Sequence, residues 1–101
     1  MDPQTKEMTV SDVVVALAGR DKGKLFYVIG DDPQFLLLAN GKDRTLEKPK
    51  RKKRRHVKKV LRSETRVAAK LLSGDKVLNS ELRKDLAYLR RGMSGPDLGG
   101  F

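Results

Sequence analysis

Between Lys48 and Arg62 the chain reads "KPKRKKRRHVKKVLR", with ten basic residues and no acidic one. Lysine and arginine at this density suit one kind of chemistry. They replace the counterions condensed on a polyanion, and that release supplies affinity without reading sequence. Residues 1–47 hold six basic and eight acidic residues, and residues 63–101 hold seven and five, so the formal net charge of +10 resides in this one segment. A footprint so compact points to nucleic acid or an anionic membrane surface. The single histidine, His56, falls inside the block. It could stack on a base or touch a phosphate; a bystander at a strand edge is an equal alternative.

A second stretch, "AGRDKGKLFYV" (residues 18–28), invites comparison with a phosphate-binding loop. Such a loop needs four residues between its glycines, then Lys and a Ser or Thr for magnesium. Only three residues separate Gly19 from Gly23, and Leu25 follows Lys24. Nucleotide binding is therefore disfavoured. A turn "GRDKG" between two strands fits better: Gly23 lets the chain reverse tightly, while Arg20, Lys22 and Lys24 project charge toward phosphates.

Other chemistry is missing. The chain has no cysteine and one histidine, which excludes a disulfide framework and a zinc site built from Cys or His. No nucleophile, base and orienting group fall into a recognisable arrangement; Asp21 beside Lys22 and the lone His56 do not form one. The expectation is a binding protein, not an enzyme, with no cofactor. The start "MDPQTKEMTV" is polar and mixed in charge, unlike a secretory signal. The longest apolar run, "VVVALA", is far too short to span a bilayer. A soluble, intracellular protein is expected.

The elements that must position these cations differ between the two halves. Three apolar, β-branched or aromatic runs predict strands: Val13–Ala18, Lys24–Gly30 and Gln34–Ala39. Asn40-Gly41 is a hairpin signal. It predicts a fourth strand over "DRTLE" (residues 43–47), ended by Pro49, and "HVKKVL" supplies one more short strand. Strands apolar on both faces, in 101 residues, suggest a small curled barrel, with Gly19, Gly23 and Gly30 at its bends. After Ser63, expected as an N-cap, "ETRVAAKLL" carries Val67, Ala68, Leu71 and Leu72 on one face and stops at Gly74. "NSELRKDLAYLRRG" repeats the logic, with Asn79 as cap, Glu81 near the positive helix end, and Leu82, Leu86 and Leu89 as the stripe. Of the aromatics, Phe26 and Phe35 are expected in the core, with Tyr27 a weaker candidate for base stacking.

The strand–loop–strand unit with Lys22-Gly23 in its turn resembles the KOW motif of several large-subunit ribosomal proteins and of NusG-type transcription elongation factors. With "LANGKDRTLEKPKRKKRRHV" and "LLSGDKVLNSELRKDL", residues 10 to 88 are similar to the short bacterial KOW-domain RNA-binding proteins. These are related to archaeal and eukaryotic KOW-type ribosomal proteins. The resemblance implies an SH3-like barrel and RNA binding, though no particular RNA. Val15 and Ala16 depart from it, standing where the strand before the loop is usually polar.

The resulting expectation is a mainly β protein with C-terminal helices. An SH3-like (KOW) barrel with a basic strip occupies residues 10–62, a helical pair 63–91, and a disordered tail 92–101. RNA, in the first place ribosomal RNA of the large subunit, is expected to be gripped by Arg20, Lys22, Gly23, Lys24 and Arg44, and by Lys48, Lys50, Arg51, Lys52, Lys53, Arg54, Arg55, His56, Lys58, Lys59 and Arg62. Like-charge repulsion along Lys50–Arg55 suggests a strip partly disordered until RNA arrives. The protein is expected to be cytoplasmic, ribosome-associated and monomeric when free, with the helical pair available to a ribosomal protein. Three rivals stand beside this reading: a nuclear localisation signal, DNA binding, and a protein-interaction module of the transcription-elongation type.

Overall fold

The computed structural model describes residues 8–92. The three apolar runs form β1 (Asp12–Ala16), β2 (Leu25–Asp31) and β3 (Phe35–Ala39). The basic block supplies β4 (Lys50–Lys53), a 3-10 turn over Arg54–His56, and β5 (Val57–Arg62). Together they make a five-stranded antiparallel sheet in the order β4-β3-β2-β1-β5, with β4 and β5 at its two edges. Two helices follow, α1 (Arg66–Ser73) and α2 (Asn79–Gly92). Gly92, expected in the tail, is the last residue of α2, and the remainder of the expected tail lies outside the described residues.

β1 and β2 read as unbroken apolar runs because the centre of the sheet is buried on both faces. One face carries Val14, Ala16, Phe26, Val28, Leu36, Leu38 and Val57, closed over by Met8. The opposite face carries Val13, Leu25, Tyr27 and Ala39 and receives Val67 and Ala68 from α1 and Leu82 and Leu86 from α2. Each Val, Leu, Phe or Met among them, removed fully from water, contributes roughly 1.5–3 kcal/mol. The turn glycines Gly19 and Gly23 both take positive φ, and Gly30 sits where the β2–β3 register slips.

Several expectations are corrected. No strand forms over residues 43–47, and Pro49 precedes β4 instead of ending a strand. Asn40-Gly41 is not a two-residue turn: Gly41 has φ +78°, but Asn40 stays at negative φ. The Asn40 Oδ1 accepts from the backbone N–H groups of Lys42 and Arg44, at 2.9 and 3.1 Å, and this bends the chain out of the ladder. The strip is ordered in secondary structure, since its inward residues bond to the protein (below). Thr65, not Ser63, caps α1, accepting from the Ala68 N–H at 3.2 Å. Leu72 is 55 % exposed, outside the packing face assigned to it. Phe35, expected in the core, is only half-buried, whereas Tyr27 is wholly buried and offers no stacking surface.

Tyr27 instead ties the sheet to both helices. Its hydroxyl donates to the Asp85 carboxylate of α2 and shares a 2.7 Å hydrogen bond with Ser63 Oγ, while Thr65 Oγ1 donates to Asp85 at 2.8 Å. Burial, then the bond to Asp85, pushes the Tyr27 hydroxyl up to a pKa of about 12.

Candidate nucleic-acid interface

The strand period of two divides the basic block into residues the fold consumes and residues it presents. In β4, Lys52 points inward and is buried, and its Nζ donates to the Ala18 carbonyl at 2.7 Å. Its neighbours Arg51 and Lys53 are exposed. Arg54 turns back onto the protein, with Nε donating to the Asp32 carbonyl at 2.8 Å and one terminal nitrogen to the Met8 carbonyl at 2.7 Å. In β5, Lys59 Nζ lies 3.6 Å from the fully buried Asp12 carboxylate, while Lys58 is exposed. Four of the ten cations therefore have structural duties or mixed ones: Lys52, Arg54, Lys59, and Arg51, whose guanidinium lies 3.6 Å from the Phe35 ring centre.

The presented cations are Lys48, Lys53, Arg55, Lys58 and Arg62, with Lys50 half-buried. No acidic residue lies among them in sequence. His56 is half-buried in the 3-10 turn, and its carbonyl accepts from the Leu17 N–H at 2.9 Å. That bond clips the turn to the chain just past β1, next to the Gly19–Gly23 loop.

The loop carries Arg20 and Lys22 exposed, as its sequence implies. Lys24 and Arg44 are different. Lys24 Nζ pairs with Asp43 at 2.7 Å, and Arg44 pairs with the buried Asp21 at 3.0 Å. These two bridges lace the loop to the segment leading into β4. The Lys24 ammonium holds the Asp43 carboxyl below its usual pKa. Lys58 and Lys59 share a crevice with Lys22, Gly23, Val15 and Leu17, which brings β5 and the loop to one surface. Val15 and Leu17 give that crevice an apolar floor.

The sequence reading missed the segment that holds the strip in place. Asn79, at the start of α2, accepts from the Leu46 N–H at 2.8 Å and donates to Glu47 at 2.7 Å. An Asn before a helical stripe signals a cap, so nothing local in the sequence separates the two uses. Among the described residues no group of three His, Cys, Asp or Glu could hold a metal ion, and no helix is long and apolar enough to cross a membrane. Comparison with models of known protein families and with curated proteins finds no match.

Proposed function

We propose that the chain binds structured RNA, ribosomal RNA of the large subunit in the first place, through phosphate contacts from the β4–β5 strip and the Gly19–Gly23 loop. One observation carries the reading: Lys53, Arg55, Lys58 and Arg62 project from ordered backbone while the cations between them are anchored inward. Cations carried on ordered backbone lose less chain freedom on binding than a disordered strip would, so more of the counterion release appears as affinity. The KOW resemblance and the sheet order support an SH3-like barrel. The two edge strands of the sheet are consecutive in the chain and joined by a three-residue turn, a connection compatible with a sheet that curls toward closure. On this reading the protein is cytoplasmic, associates with the ribosome, and performs no chemistry.

RNA cross-linked to the protein in cells and sequenced tests the proposal. Cross-links concentrated at one site of large-subunit ribosomal RNA support it; scattered cross-links make the chain a general RNA binder, and their absence removes the RNA reading. In vitro, six to eight phosphate contacts give log K a slope against log salt of roughly −4 to −7. Charge reversal of Lys53 and Arg55 should abolish binding. Arg54 is unsuited to that test because its bonds to Met8 and Asp32 serve the fold.

A protein-interaction role has its own observation. Tyr88 of α2 is 62 % exposed beside Leu61 and Leu89, and Leu72 and Leu78 are also exposed. An apolar contact through this helical surface would survive salt that dissociates RNA.

A further inference from the structure

The outer face of β3 presents Phe35, Leu37 and Ala39. The helices cover it only at Ala39, which packs with Leu82 and Leu86. Phe35 is left half-buried and Leu37 exposed. Register places Lys53 directly opposite Phe35, and Arg51 opposite Leu37. From that diagonal position Arg51 lays its guanidinium over the Phe35 ring, 3.6 Å from the centre. On one side of the ring lies a crevice of about 300 Å³ lined by Pro33, Gln34, Phe35, Lys53, Arg54 and Arg55. A second crevice at the ring is lined by Gly30, Leu36 and Leu37 together with Arg51 and the acidic Asp31 and Asp32.

The turn that forms one wall of the crevice is held by its own hydrogen bonds. Asp32 Oδ1 accepts from the Gln34 and Phe35 N–H groups at 2.9 and 2.7 Å, fixing the turn that carries Pro33. Arg54 braces the same turn, through its bond to the Asp32 carbonyl and a 3.0 Å bond from its N–H to the Gln34 carbonyl.

We infer that the Phe35–Arg51 pair is a stacking platform for an unpaired base of the bound RNA, whose flanking phosphates are taken by Lys53 and Arg55. A guanidinium stacked on an aromatic ring is a flat, polarisable surface, and bases stack on such planes whatever their identity. The crevice has room for one planar ring system but not for a packed helix, and the cations beside it suit a phosphodiester. Phosphate contacts alone do not distinguish paired from unpaired RNA. This platform does, because a paired base cannot reach it.

The inference rests on the RNA-binding reading, and one experiment separates the two. The full chain and its Arg51→Lys and Phe35→Leu variants are titrated at one salt concentration with two probes. One is a single-stranded oligoadenylate of about a dozen nucleotides and the other an RNA duplex of about 16 base pairs. Arg51→Lys keeps the charge at an exposed site and loses only the plane, so it tests the platform even if Phe35→Leu folds poorly. The expected result is about tenfold weaker binding of the single strand by Arg51→Lys. Duplex affinity should stay within about twofold and the salt slope unchanged. Equal losses on both probes make Arg51 a phosphate contact and overturn the platform, as does no loss on either. In both cases the RNA-binding reading stands. A wild-type chain that binds neither probe takes both proposals down.

Discussion

The side-chain oxygen of Asn79, the first residue of α2, lies 2.8 Å from the backbone nitrogen of Leu46 and accepts its hydrogen bond. The same amide donates to Glu47, and Arg83, one turn on, donates to the Gly41 carbonyl at 3.2 Å. Helix α2 thus clamps the loop that delivers the chain into β4. Replacing Asn79 with Ala leaves the Leu46 N–H without its partner and should cost about 1–2 kcal/mol. Chemical denaturation measures that loss. The clamp also predicts faster amide exchange at Leu46 than at β2 residues in the variant.

Tyr27 sets an alkaline limit on stability. Its ordinary pKa of 10.0 is raised to about 12 in the fold, so the folded state holds a proton that the unfolded state releases first. The stabilisation is whole below pH 10 and drains away as pH rises toward 12. Tyr27→Phe removes this dependence and also strips partners from Asp85 and Ser63, costing roughly 1.5–3 kcal/mol at neutral pH. Thermal melts of both proteins between pH 8 and 11 would show wild type falling and the variant, less stable throughout, flat with respect to this group. Parallel curves would remove Tyr27 as the source.

Adjacent lysines of β4 should behave oppositely. Lys52→Ala withdraws a buried ammonium from the Ala18 carbonyl and should destabilise by about 1.5–3 kcal/mol. Lys53→Ala, at an exposed position, should stay within about 0.5 kcal/mol of wild type while lowering RNA affinity and reducing the salt slope by about one. Measuring stability and affinity for the pair decides whether strand alternation sorts the cations. A Lys52 variant of full stability would show that it does not.

The first three strands and both helices are legible because apolar residues recur where packing needs them. β4 is not, since "KRKK" carries no apolar period. It is an edge strand whose inward position is filled by Lys52 and whose pairing is supplied by the β3 backbone. The basic block is therefore visible as charge, but its division into anchored and presented cations follows only from the register. Phe35 and Tyr27 depart from their expected burial for a similar reason. Burial is decided by which stretch of the outer face the helices cover, and a single sequence does not carry that reach.

Two positive-φ glycines should separate strain from packing. Gly41 has φ +78°, and a Cβ there would lie 2.2 Å from the Asn79 carbonyl oxygen, a backbone atom at the start of α2. Gly23 has φ +86° with nothing within 4 Å of the same atom. Alanine at Gly23 therefore meets only the left-handed backbone penalty, about 1–2 kcal/mol. Alanine at Gly41 meets that penalty and must also push the helix away, for a total of about 3 kcal/mol or more. Because Gly41 is where α2 seats on the loop, its variant should also free Leu46 and Glu47 from Asn79, weakening RNA binding through a displaced strip. Gly23→Ala should fold well, and any loss of affinity in it then reports on the loop alone. Equal destabilisation of the two variants would mean that the start of α2 yields to a Cβ at Gly41 at no cost, and that the two elements are not tightly seated there.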